Sequence, residues 1–276
     1  MSSSPWKRAL VTGASSGIGL AFARALAGEG SNLVIVARRA ERLENLANEL
    51  RRAHRVEVEV IPADLANPRQ LARVEQRLED ATNPVDLLVN NAGLGTVGRF
   101  ADRPIEGEEN AIRVNVLALV RLTHAALPGM IARHRGGVLN LASTVAFMPE
   151  PFGATYSATK AYVLNFSEAI SEELRGSGVR VTALCPGFTH TEFHDRPNDA
   201  KAPGETDRGS GEKMPEALWM SADEVARAGL DALRKGKVVA VPGLLYAAAA
   251  GLMSALPRGV VRRISGAAMR TLRKEK

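Results

Sequence analysis

Short runs of β-branched and aliphatic residues alternate along this chain with longer stretches whose apolar positions recur every three to four residues. The runs are Ala9–Thr12, Asn32–Ala37, Val56–Ile61, Val85–Asn90, Gly137–Leu141 and Val179–Leu184, with a last short one at Val238–Val241. Helical spacing marks residues 20–29, 40–53, 67–81, 108–134, 157–175 and Ser221–Lys235. Strands separated by helices call for right-handed crossovers and a parallel sheet covered on both faces. The pattern therefore predicts a single-domain, doubly wound α/β fold of the Rossmann type.

Two segments break the rhythm. Glu192 to Pro215 is rich in Gly, Pro and charged residues and follows the carboxyl end of a strand, where such sheets bind ligands. We expect residues 192–220 to form a loop that covers the substrate. The second segment, 242–276, is apolar from Gly243 to Leu256 and then mixes aliphatic residues with arginines. The division expected is a catalytic domain over 1–241 and a helical extension over 242–276. An apolar run of about 14 residues falls short of the roughly 20 that span a bilayer. Two placements stay open for it, peripheral contact with an anionic membrane surface or packing on the protein or a neighbouring subunit.

Composition narrows the classes. With 276 residues, 45% hydrophobic and 24% charged, the chain can bury a full core. The net charge of +6 resides in the tail: Arg258, Arg262, Arg263, Arg270, Arg273, Lys274 and Lys276 face one acid, Glu275. The remainder is balanced, and no nucleic-acid motif accompanies the basic tail. The lone Cys185 excludes an internal disulfide and reads as a small core residue. With an N-terminus that lacks an apolar leader, it points to a cytoplasmic setting. His190, Glu192 and His194 have a spacing that would suit a metal only on a helix, and the Pro-Gly turn before them and Pro197 after them argue against one; no metal is expected.

The chemistry lies in three clusters. Thr12-Gly13-Ala14-Ser15-Ser16-Gly17-Ile18-Gly19 joins the first strand to the first helix. Its glycines let the chain turn and bring amides to a pyrophosphate at the positive helix end. The second strand ends Ala37-Arg38-Arg39 with no carboxylate for a ribose 2′-hydroxyl, and two guanidinium groups suit a 2′-phosphate; the cofactor expected is NADP(H). Asp64, followed by Leu65, stands either to meet the adenine amino group or to cap the helix beginning near Asn67.

Tyr156 and Lys160, four residues apart on a helix, share one face, with Ser143 thirteen positions upstream. An ammonium beside the phenol would lower its pKa from roughly 10 toward neutrality, making it a proton donor and acceptor.

Taken with Asn90-Asn91-Ala92-Gly93, Asn115, and Pro186-Gly187 followed by Thr189 and Thr191, these motifs resemble the short-chain dehydrogenase/reductase family over about residues 7 to 190. The resemblance implies hydride transfer between nicotinamide and a small-molecule carbonyl or alcohol. In it Tyr156 is the acid/base, Ser143 orients the substrate oxygen, and Lys160 tunes the tyrosine and holds the nicotinamide ribose. Asn115 fixes a relay water, Asn91 to Gly93 line the cleft, and Pro186, Gly187, Thr189 and Thr191 hold the carboxamide side. It further implies a homo-oligomer, dimer or tetramer, paired through the helices at 108–134 and 157–175. The apolar tail points to a lipophilic ketone, aldehyde or 3-oxoacyl substrate. The rival reading, a protein that senses NADP(H) without turnover, calls for a damaged catalytic set, and all four residues are present.

Overall fold

A computed structural model describes residues 4–193 and 215–274, with side chains through residue 270. Seven strands form one wholly parallel sheet: β1 (Arg8–Thr12), β2 (Asn32–Ala37), β3 (Val58–Pro62), β4 (Leu87–Asn90), β5 (Gly136–Leu141), β6 (Val179–Leu184) and, after a separate pair described below, β9 (Val239–Ala240). Their spatial order is β3-β2-β1-β4-β5-β6-β9. The order reverses direction between β1 and β4, and the crevice at their carboxyl ends is where such sheets take ligands.

The central strands are buried on both faces, so they read as unbroken apolar runs rather than alternating ones. Three helices cover one face: α1 (Gly17–Gly28), α2 (Ala40–His54) and α7 (Ala222–Arg234), which pack Phe22, Leu26, Leu43, Leu50, Leu230 and Leu233. The other face carries α3 (Pro68–Glu79), α5 (Leu119–Ala132) and α6 (Ala154–Glu173) with Leu71, Val74, Leu122, Met130 and Ile170.

Local chemistry fixes the helix ends. Asn67 Oδ1 accepts from the Arg69 and Gln70 amides and Pro68 opens the first turn of α3, so Asn67 rather than Asp64 is its cap. Ser221 and Glu224 bond reciprocally at the start of α7. Helix α4 (Ile105–Ile112) runs without a break through a π-helical turn at 113–118 into α5. That 28-residue helix is long and apolar enough to cross a membrane, yet half its apolar window is buried, as in a core helix.

Two pieces escaped the sequence pattern. Thr189–His190 (β7) and Met220–Ser221 (β8) pair in parallel as a separate two-stranded ribbon, which brings the two ends of the expected loop together. The middle of that loop, 194–214, lies outside the described residues. Beyond β9 the tail forms α8 (Leu244–Ala255) and α9 (Arg258–Lys274). Ala250, Val261 and Ser265 are buried, so both helices lay one face on the body of the protein.

Candidate active site

The glycine turn is packed so closely that side chains are excluded from it. Gly13 has φ +68°, and a β-carbon on Gly19 would lie 2.4 Å from Gly13 O and 2.4 Å from Asn91 Nδ2. Thr12 Oγ1 accepts from the Asn91 and Ala92 amides at 3.0 Å, and Asn91 Nδ2 donates to Thr12 O at 2.8 Å. These bonds lock the end of β1 to the end of β4. Gly13, Ser15, Ala37, Arg38, Arg39, Asp64, Leu65, Ala92 and Gly93 line one cleft there. Ser16 precedes the first turn of α1, and Gly17, Ile18 and Gly19 form that turn at the positive end of the helix dipole.

Arginine placement refines the sequence expectation. Arg38 is exposed at the cleft. Arg39 turns over the glycine turn, donating to Ser15 Oγ at 3.1 Å and to Glu192 Oε2 at 3.0 Å. Arg42, one helical turn on and unremarked in the sequence, donates to Glu192 Oε1 at 2.7 Å. Hydrogen bonds from Arg42 and Arg39 hold the Glu192 carboxyl below its ordinary range. Glu192 is therefore committed to arginines while His190 stacks on Trp219 and bonds Glu216, so the pair does not converge; His194 lies outside the described residues. Asp64 Oδ1 accepts from the Ala66 amide 3.0 Å away in a local turn.

At the carboxyl end of β5, Ser143 is buried and its Oγ accepts from the Val145 amide. Its hydroxyl also lies near enough to Tyr156, which projects from the first turns of α6, to favour the ionised phenol. Lys160, one turn further, is buried; its Nζ donates to Leu141 O at 2.7 Å and sits 5.7 Å from the Tyr156 ring centroid. The π-helical turn presents Asn115, whose Nδ2 donates to Leu94 O at 2.8 Å and Thr159 Oγ1 at 3.0 Å, and whose Oδ1 accepts from the Leu94 amide. Such turns concentrate at functional sites. A β-carbon on Gly93 would stand 3.4 Å from Asn115 Oδ1 and 3.6 Å from Lys160 Nζ, so Gly93 faces the space between these two side chains.

The electrostatics reverse one expectation. Burial pushes the Tyr156 phenol above its ordinary value, and the nearby Glu150 carboxylate adds to this against the hydrogen bond from Ser143. Burial also pulls the Lys160 amine down, to about 8, and its Nζ donates to Leu141 O rather than to the phenol.

The far wall holds Pro186, Gly187, Thr189 and Thr191. Pro186 O accepts from the Thr144 amide, and Thr189 Oγ1 donates to Gly187 O. Thr191 packs on Gly17 instead of projecting free, and Phe193 lies tilted against Tyr156 with ring centroids 5.8 Å apart. Phe193, Glu150, Arg42 and Tyr246 were not marked by the sequence. Only Arg42, three residues past Arg39, had a readable cue.

The fold and cleft define a dinucleotide-binding α/β protein. The pattern of the short chain dehydrogenase family matches residues 7–202, and the chain belongs to that family. It is 36% identical over 182 residues to the ketoacyl reductase HetN of Nostoc sp., covering 66% of this chain and 63% of that relative's length. A short-chain dehydrogenase from Sphingobium yanoikuyae in complex with NADPH superposes with TM-score 0.77 at 38% identity, over 91% of this chain and 96% of the other. Another family member, from Burkholderia phymatum in complex with NAD, gives TM-score 0.78 at 26% identity, over 89% and 92% of the two chains.

Proposed function

We propose that the chain is an NADP(H)-dependent oxidoreductase that interconverts a carbonyl and an alcohol, with Tyr156 as proton donor and acceptor. One observation carries this reading: a half-buried phenol, set beside Ser143 and one helical turn from a buried amine, opens beside a glycine-lined cleft that ends in arginines. The cleft suits a nicotinamide dinucleotide, since no side chain fits at Gly13 or Gly19 and the α1 N-terminus and Arg39 face anionic groups. Reduced nicotinamide, when bound, supplies the hydride.

The chain's own groups supply orientation and the proton. Ser143 Oγ donates a hydrogen bond to the substrate oxygen, and Tyr156 releases its proton to that oxygen as charge builds there. A phenol raised by burial arrives protonated throughout the cellular pH range and meets a far stronger base, an alkoxide. The same shift opposes proton removal, so these groups favour reduction, as does cellular NADPH. Asn115 braces Leu94 and Thr159 and leaves one Oδ1 lone pair on the Lys160 side of Gly93, where the relay water belongs.

Selectivity for NADP over NAD rests on Arg38 and Arg39 just past β2, which ends without a carboxylate of its own, and on Arg42 in the first turn of α2. Phe193 against Tyr156, with Phe188 and Trp219 in contact beyond, supports a lipophilic ketone, aldehyde or 3-oxoacyl substrate, and HetN is named a ketoacyl reductase. Ile112, Leu117 and Tyr162, exposed on the α4–α5 helix and on α6, support assembly of a homo-oligomer through those helices. Residues 1–241 form the catalytic domain in this reading, and 242–276 an appended helical element.

Turnover of ketones, aldehydes and 3-oxoacyl thioesters, followed by loss of NADPH absorbance, tests the proposal. Tyr156→Phe is expected to lower kcat by roughly 10²–10⁴-fold with an unchanged Kd for NADPH. Equal turnover by the variant would remove Tyr156 from the mechanism.

A further inference from the structure

The outward faces of the last two helices are unlike the rest of the surface. From Val238 to Pro257 the chain holds no charged residue, and α8 turns only Tyr246, Ala250 and Met253 inward, at i, i+4 and i+7 spacing. Opposite that seam Leu244 is 91% exposed, Leu245 70% and Leu252 57%, with Ala248 and Ala249 between them. A surface helix ordinarily sets polar residues opposite its packed stripe. This one carries only Ser254 as an exposed polar side chain, and a continuous apolar patch of this kind marks a surface that something covers.

Helix α9 says what that something carries. Val261 and Ser265 face the body, and Ser265 Oγ donates to Pro149 O. At 100° per residue the remaining surface divides. Val260, Ile264, Ala267 and Ala268 fall on one edge, and Arg262, Arg263 and Arg270 on the other; all are exposed. No acidic residue occurs from Ala232 to Lys274. An isologous contact between two copies would set this patch against itself and bring the arginines together with nothing to neutralise them. A cover that is apolar within and anionic at its rim satisfies both faces.

We infer that the outer faces of α8 and α9 form a docking surface for an anionic lipid bilayer. Leu244, Leu245 and Leu252 enter the headgroup–acyl boundary, and Arg262, Arg263 and Arg270 meet lipid phosphates. The helices lie on the bilayer, since the apolar run is too short to cross it. The site is held close to the entrance: α8 packs on the 144–147 turn after Ser143, and α9 bonds Pro149 on the segment leading to Tyr156. A lipophilic substrate would then reach the pocket from the lipid side. The docking surface itself stands independently of the catalytic assignment.

Flotation of the full-length protein with vesicles of phosphatidylcholine alone, and of phosphatidylcholine containing phosphatidylglycerol, tests it. The protein is expected to float with the anionic vesicles and to remain behind with the neutral ones. Leu244→Glu with Leu245→Glu should lower the partition coefficient roughly ten-fold or more. Arg262→Gln with Arg263→Gln should lower it several-fold on anionic vesicles and more weakly at high salt. Dinucleotide affinity, measured alongside, reports that each variant is folded. No flotation with anionic vesicles overturns the inference, as does binding that survives the leucine pair. So does light scattering that shows the leucine pair dissociating a wild-type oligomer, since a second copy would then be the cover.

Discussion

The two sides of the cleft are built by opposite means. On the nucleotide side, contacts between main chain and Thr12, Asn91 and glycine leave no room for a β-carbon, so the sheet itself holds the shape. On the substrate side, loops are pinned by single side chains from the C-terminal helices. Tyr246 Oη accepts from the Phe188 amide at 3.2 Å and donates to Leu218 O at 2.7 Å, and its ring fills the space over Gly187. Ser265 does the same for Pro149. A rigid half that binds a common cofactor thus faces a half whose geometry is adjustable by substitutions far along the chain.

The largest expected effect lies on the rigid side. Arg39→Ala removes a guanidinium aimed across Ser15 and should raise the Kd for NADPH about 10–100-fold while barely altering that for NADH. Glu192→Gln should act in reverse, lowering the NADPH Kd a few-fold, because the carboxylate now sits on the arginines a 2′-phosphate would claim. Titration of cofactor fluorescence measures both. An unchanged NADPH affinity in Arg39→Ala would break the comparison and move discrimination to Arg38.

A smaller effect tests the adjustable side. Tyr246→Phe keeps the ring over Gly187 but leaves the Phe188 amide and the Leu218 carbonyl without their shared hydroxyl, at a cost of about 1–3 kcal/mol. Thermal unfolding should shift accordingly, kcat/KM should fall several-fold, and the NADPH Kd should hold. Loss of cofactor affinity in this variant would show that the two sides are one unit.

The same contrast explains what could be read from the chain. Strands β1, β2 and β4–β6, the glycine turn and the Ser143, Tyr156 and Lys160 set were visible because each is a local pattern of burial or spacing. The β7–β8 pair joins two-residue segments some thirty positions apart with no periodicity of their own, and only the folded chain shows it. Tyr246 lies 58 residues from the amide it holds, one aromatic in an alanine-rich run. The π-helical turn around Asn115 is invisible to a pattern that counts 3.6 residues per turn. Of the two roles open to Asp64, the cap goes to Asn67, whose following proline makes it the better one, while Asp64 lines the cleft. The sign of the Tyr156 shift was misread because spacing reveals an amine one helical turn away but not how far the fold withdraws the phenol itself from water.

Glu150 supplies the smallest effect and the sharpest test of that last point. It sits half-buried between Pro149, which α9 holds, and the start of α6: its amide donates to Ser157 Oγ, and Oε2 lies against Gly153. Burial raises its carboxyl from an ordinary 4.5 to about 7. The folded chain therefore keeps a proton that the unfolded chain has lost between these values, and stability falls as pH rises through that window. Glu150→Gln, which cannot ionise, should match the wild type near pH 4.5 and exceed it above pH 7, by about 1–2 kcal/mol once partial exposure is discounted. Because the Glu150 charge also holds the Tyr156 phenol up, the variant should move the rising limb of kcat for alcohol oxidation, where the phenol becomes a base, to lower pH. Denaturant unfolding at the two pH values, beside the pH–rate profile, separates these outcomes: a stability gain without a shifted limb would leave Glu150 a burial cost alone, with no electrical contact to the tyrosine.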